Sequence, residues 1–226
     1  MNDLWTTLVP LIVASAIVPI QIVITILLLR SDAGRITAVA WVAGMTLARL
    51  AQGVVFGLVL SSAEETSGTS DGPGAVVSTI LLVAGVLFLV AAFRQAFHDE
   101  DPDAPPPRWL ALTESITPLR AFLLGAGMLL IGIKFWVFTL GAIAAIADAG
   151  LGRSENIVTY LVFVVLAASV SIALIAVAYL LPRRAAAVLD RVGDLLTTYN
   201  RWIVMTLGFV FGAWFLVKAL IGFGVL

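Results

Sequence analysis

The chain has 226 residues, 61% of them hydrophobic and only 12% charged, with a formal net charge of −1 and a mean hydropathy of +1.09. A soluble domain carries about 25% charged residues and at this length needs a wetted polar surface, so the composition excludes a water-soluble fold and sets much of the surface against lipid. There is no cysteine and one histidine, His98, which excludes a structural disulfide or thiolate metal site and argues against a histidine-rich one.

A crossing helix needs roughly 20 apolar residues. Six segments meet that length: residues 5–29, 36–61, 75–97, 119–147, 156–181 and 202–223. No lysine or arginine follows Met1-Asn2-Asp3 before the first apolar run, so that run reads as a retained helix rather than a secretory signal. Ser31-Asp32-Ala33-Gly34-Arg35 is a tight turn that makes the first two helices antiparallel neighbours. Residues 62–74 are acidic and rich in Ser, Thr and Gly. The stretch 99–116 is an acidic linker whose Pro102, Pro105, Pro106 and Pro107 favour extended backbone. It divides a first three-helix unit, residues 1–98, from a second, residues 117–226.

Within the second unit, Val188, Val192, Leu195, Leu196 and Tyr199 recur at steps of three and four, with Arg184, Asp190, Arg191 and Asp194 between them. That spacing predicts an amphipathic interfacial helix over 183–200, serving as a surface anchor or in gating. Orientation follows from the basic residues at the helix ends. Arg30, Arg35, Arg94, Arg108, Arg120, Arg183, Arg184, Arg191 and Arg201 fall on one side, against Arg153 and a snorkelling Lys218 on the other. The first side is then cytoplasmic and both termini are extracytoplasmic.

Internal similarity joins the two units. Gly85-Val86-Leu87-Phe88-Leu89-Val90-Ala91-Ala92 resembles Gly212-Ala213-Trp214-Phe215-Leu216-Val217-Lys218-Ala219, and Asp32-Ala33-Gly34 echoes Asp148-Ala149-Gly150. Three crossings per unit make the two halves inverted in the membrane, an arrangement that places a substrate site near the midplane between them. The fold class read from the sequence is therefore an all-α integral membrane protein, six transmembrane helices forming two inverted three-helix repeats.

Charges inside the crossings carry the chemistry, because each costs about 2.5–3.5 kcal/mol on insertion scales. Arg49 lies near the middle of the second crossing and Lys134 near the middle of the fourth, with no Asp or Glu at comparable depth. Two such cations bind an anionic ligand group between them, or else are satisfied by carbonyls, water and polar neighbours such as Gln21, Thr25, Thr46, Gln52 and Thr139. Pro19, midway along the first crossing, removes a backbone hydrogen bond and displaces the carbonyl four residues earlier. The groups it frees must face protein or a water-filled cavity, where Gln21 and Thr25 would complete a polar site; the alternative is a kink used for packing. The candidate binding set is Arg49, Lys134, Pro19, Gln21, Thr25, Gln52 and Thr139.

The GxxxG patterns at Gly53–Gly57 and Gly208–Gly212, with Gly44 and Ala48 on the same helix as the first, permit close helix contact within the chain or across a homodimer. No Walker-type phosphate loop, GxSxG nucleophile or buried acid–base pair is present, so no enzyme, metal or cofactor is expected. His98, at a cytoplasmic helix end, reads as a solvated surface residue.

The order of these features resembles the peptidoglycolipid-addressing family, also called sulfolipid-addressing, within the lysine exporter superfamily. The resemblance covers almost the whole chain. It rests on Pro19, the basic turn from Arg30 to Arg35, Trp41-Val42-Ala43-Gly44, the run from Pro118 to Gly125, Lys134, and Tyr199-Asn200-Arg201 leading to Gly208-Phe209-Val210-Phe211-Gly212 and Lys218. The family's Asn-Pro-Lys-like element stands here as Gly132-Ile133-Lys134, with the lysine but without the proline, so a break in the fourth crossing is not expected. The resemblance implies export or translocation of cell-envelope glycolipids in actinobacteria, often beside larger lipid transporters. A lipid or glycolipid substrate, a homodimer and a larger envelope transporter are the implied partners, with no nucleic acid. The expected activity is inner-membrane translocation of an anionic glycolipid or lipid-linked saccharide. Export of small solutes such as amino acids, or an accessory role beside a larger transporter, are the alternatives.

Overall fold

The computed structural model describes residues 2–31, 34–66, 73–97 and 116–225, and every element among them is helical. In chain order these are α1 (Asn2–Ala16), α2 (Pro19–Arg30), α3 (Gly34–Thr66), α4 (Pro73–Phe97), α5 (Pro118–Ile131), α6 (Ile133–Asp148), α7 (Arg153–Ala167), α8 (Ser169–Leu180) and α9 (Pro182–Gly222). His98 and the proline-rich linker from residue 99 to residue 115 lie outside the described residues.

Two helices are long and apolar enough to cross a membrane unaided, over Gly34–Leu58 in α3 and Arg201–Gly222 in α9. Three bent pairs reach that length jointly: α1 with α2 at 43°, α5 with α6 at 67°, and α7 with α8 at 55°. The described residues thus hold two to five candidate spans, not six uninterrupted ones.

The bend before α2 is the one the sequence predicts. Val18 is extended (φ −60°, ψ 112°), as a residue preceding proline must be, and Pro19 offers no N–H to the carbonyl of Ser15. The bend at Gly132 corrects the expectation of an unbroken fourth crossing: the residue adopts φ −77°, ψ 86°, and the chain re-enters a helix through Phe135 N–H to the Gly132 carbonyl at 2.8 Å. The bend at Ala168 has no proline or glycine behind it. There the hydrogen bond tightens to Val165, at 3.2 Å.

Two crossings of helices dominate the packing, α3 against α5 and α4 against α9. Both are made by glycine. A Cβ on Gly44 would lie 2.1 Å from the Phe122 carbonyl oxygen, and one on Gly125 would lie 2.4 Å from that of Trp41. At the second crossing, a Cβ on Gly85 would meet Leu216 Cγ at 2.9 Å and one on Gly212 would meet Leu89 Cγ at 2.8 Å. The contact is reciprocal: the internal similarity aligns the two glycines with each other and the two leucines with each other, and each glycine meets the leucine of the other helix. The residue order of the contacts at the second crossing makes α4 antiparallel to α9. Gly208 also packs on α4, at Ala92 and the Phe88 carbonyl, whereas nothing lies within 4 Å of a Cβ on Gly57.

Residues 183–200 are not set off from the last apolar stretch. A single helix of 41 residues runs from Pro182 to Gly222, about 60 Å at 1.5 Å per residue and twice the ~30 Å hydrocarbon thickness. Part of the apolar face of its first half turns onto protein: Leu189 and Leu196 cluster with Ile22 and Ile26 of α2 and Leu174 of α8, while Leu195 and Tyr199 are exposed. Arg30 and Asp190 pair across this junction at the surface, and Arg201 donates to the Ala96 carbonyl at 2.8 Å, capping the end of α4 with a cation.

Candidate functional site

The three bends lie close together. Val18, Phe135 and Ala168, each at or beside one of them, belong to one packed cluster. α3 passes this cluster unbroken and supplies its polar groups. Arg49 is 3% exposed, and its guanidinium donates to Ser15 Oγ at 2.7 Å. Ser15 is the residue whose carbonyl Pro19 leaves without its helical donor, so a buried cation stands against the first bend. Tyr160 of α7 donates to the Arg49 carbonyl at 2.5 Å. Its ring occupies the space that a Cβ on Gly53 would take, so this glycine serves an aromatic contact rather than a helix seam. Among the described residues no carboxylate pairs with Arg49.

One turn further along α3, Gln52 attends the bend at Gly132. Its Nε2 donates to the Leu129 carbonyl at 3.0 Å, and its Oε1 accepts from Thr139 Oγ1 at 3.1 Å. The Trp136 indole donates to the carbonyls of Leu129 and Leu130 at 2.9 and 3.1 Å. The carbonyls at the end of a helix have no intrahelical donor, and here two side chains provide one. Gln52 and Thr139 are therefore joined to each other and to the second bend, not to Arg49. Lys134 falls in the first turn of α6, and its side chain lies outside the described residues.

Gln21 and Thr25 form a separate group towards α8. Thr25 Oγ1 lies 2.7 Å from the Gln21 carbonyl and 3.3 Å from Ser171 Oγ, all three residues being buried. Gln21 Nε2 is buried without a hydrogen-bond partner. Thr46 spends its hydroxyl on the Val42 carbonyl of its own helix, at 2.8 Å.

Ser15, Tyr160, Trp136 and Ser171 are site residues that the sequence reading did not single out. The rule that proline frees the carbonyl four residues back points to position 15. Tyr160 and Ser171 carried no such signal, because only the tertiary fold brings them to α3 and α2.

Two clefts open at opposite ends of the molecule. One, of about 220 Å³, is bounded by Arg30, Arg35, Ala178, Pro182, Ala185 and Asp190 among others, and the other, of about 360 Å³, by Leu4, Trp5, Ser154, Glu155 and Thr159. Arg35 also sits over the Tyr179 ring, 5.1 Å from its centroid, within cation–π range. Arg49 lines neither cleft.

No curated protein matches the chain. No solved structure matches it either. A family model described as "Sap, sulfolipid-1-addressing protein" matches residues 8–221. That span takes in all three bends, both glycine crossings and the Arg49 and Gln52 contacts, and the chain belongs to the sulfolipid-1-addressing protein family.

Proposed function

We propose that this protein is a translocator of the inner membrane that moves an anionic cell-envelope glycolipid or lipid-linked saccharide and catalyses no chemical reaction. The observation that carries the reading is Arg49: a buried cation with no carboxylate partner among the described residues, held against a broken helix, in a family named for addressing a sulfolipid. A cation at this depth is costly, and an anionic headgroup supplies the charge that Ser15 and Tyr160 do not. Lys134 is the second headgroup cation of this reading, from the first turn of α6, five residues past the Leu129 carbonyl that Gln52 holds. Gln21 and Thr25 offer polar partners along the first crossing.

Six crossings follow if each bent pair counts as one and α4 as another. Inversion of the halves is supported by the reciprocal contacts of Gly85 with Leu216 and Gly212 with Leu89, the symmetry that a two-fold relation imposes, and by bends in both the first and fourth crossings. Under the arginine count both termini are extracytoplasmic, and the halves rock about the midplane site for alternating access.

The test is reconstitution into liposomes with fluorescent phosphatidylglycerol and phosphatidylcholine, at equal incorporation of each variant. The wild type moves the anionic lipid between leaflets. Arg49→Ala and Lys134→Ala each slow it by roughly tenfold or more, the worth of one charge-assisted hydrogen bond. Undiminished transport in both variants refutes the role. Amino-acid efflux without lipid movement would instead make the protein a small-solute exporter, and movement only beside a larger transporter would make it an accessory subunit.

A further inference from the structure

The first crossing (α1 and α2) and the fifth (α7 and α8) share one seam, with a cleft at each end and buried polar side chains between them. At one end lies the cleft holding Arg30 and Arg35, between the α2–α3 turn and the α8–α9 junction. At the other end lies the cleft between Leu4 and Trp5 of α1 and Ser154, Glu155 and Thr159 of α7. Between the two ends the hydroxyls of Thr25 and Ser171 meet across the seam, 3.3 Å apart. Both crossings are interrupted further along, before Pro19 and at Ala168.

Gln21 stands in the first turn of α2, 4% exposed, with its amide nitrogen unpartnered. Side chains in a helix lean toward its N-terminus, so the amide aims back at the interruption. Arg49 flanks the same place, bonded to Ser15 of α1 and, through its carbonyl, to Tyr160 of α7.

We propose that this seam is the path of the lipid headgroup, from the cleft of Arg30 and Arg35, past Gln21 and Arg49, to the cleft of Glu155. The proposal rests on the translocator reading and adds to it a route and a direction. A polar headgroup in hydrocarbon needs hydrogen-bonding partners along its whole way. The seam of α1 and α2 with α7 and α8 supplies them at both ends and in the middle, whereas the crossings of α3 with α5 and of α4 with α9 are closed by glycine on backbone. Charge sets the direction. Two arginines draw an anion into the first cleft, where Asp190 on Arg30 holds the place of the headgroup. Among the described residues the second cleft is lined by Glu155 and by no cation, which favours release. Since the arginine end is the cytoplasmic one, movement is outward.

The experiment uses the full chain in lipid nanodiscs with phosphatidylglycerol bearing a photoreactive diazirine on its headgroup, the cross-linked residues being mapped by peptide mass spectrometry. The expected adducts lie on α1, α2, α7 and α8. Adducts confined to the outer faces of α3 with α5, or of α4 with α9, would overturn the route. The cysteine-free chain then allows a lock: Thr25→Cys with Ser171→Cys, oxidised, should slow leaflet exchange at least tenfold and recover on reduction. Ser78→Cys with Gly222→Cys should leave it unchanged; there the Ser78 Cβ lies 3.2 Å from the position of a Gly222 Cβ. Full exchange with the first pair oxidised also overturns the route. If the wild type exchanges no lipid yet the adducts fall on the seam, the translocator reading fails and the seam stands as a headgroup-binding groove.

Discussion

Where α3 meets α5 and α4 meets α9, backbone lies against backbone, with glycines at Gly44, Gly125, Gly85 and Gly212 and no room for a methyl group. Where α1 and α2 meet α7 and α8, the helices are interrupted and the contacts include a hydroxyl pair and an amide without a partner. The first kind of junction gains from dispersion over a dry surface and has one arrangement. The second loses helical hydrogen bonds and recovers them only in part from side chains. Two tightly closed pairs of helices thus stand beside a more loosely bonded region, the division of labour that the proposed alternating access would use.

The sharpest way to break this comparison is to put volume into a glycine crossing. Gly44→Leu drives a side chain into the Phe122 carbonyl and should cost about 3 kcal/mol or more, the upper end for overpacking, read as lost thermal stability in detergent. Gly57→Leu, with open space around it, should cost nothing measurable. Equal melting temperatures for the two variants would show that the crossing is not the rigid element.

A smaller effect is expected where α3 supports a bend. Gln52→Leu leaves the Thr139 hydroxyl without its acceptor and removes one of two donors from the Leu129 carbonyl. About 1–3 kcal/mol should be lost, with faster hydrogen exchange at residues 130–136 than elsewhere in the chain. Uniform exchange along the chain would contradict a local supporting role. The smallest effect belongs to the exposed Arg30–Asp190 pair. Asp190→Asn should change stability by less than about 1 kcal/mol, and that difference should fade as salt is raised. A salt-insensitive loss would mean that the pair is a structural clamp.

Much of the first bend was readable beforehand. Pro19 dictates its position, and the rule for the freed carbonyl leads to Ser15, the partner of Arg49. The burial of Arg49 also follows from its depth in an apolar stretch, since no end of the helix is near enough for it to snorkel. The bend at Gly132 was missed because a glycine in an apolar run is tolerated in a membrane helix as readily as it interrupts one. The bend at Ala168 has no breaker to read at all. The amphipathic stretch 183–200 has the composition of an interfacial helix; Leu189 and Leu196 find α2 and α8 while Leu195 and Tyr199 stay exposed, a division between protein and surroundings that periodicity does not make.

Composition and hydropathy by themselves determined that this protein is helical and lipid-facing, because the free energy of apolar surface depends on the residues and not on their neighbours. Local chemistry determined where proline must bend the chain. Which helices touch was left to the tertiary structure: that Gly53 receives Tyr160, that Gln52 serves Leu129, and that Thr25 meets Ser171. Those pairings join residues 77 to 146 positions apart, and in an apolar medium many helix faces are nearly equivalent, so only the packing of the whole selects among them.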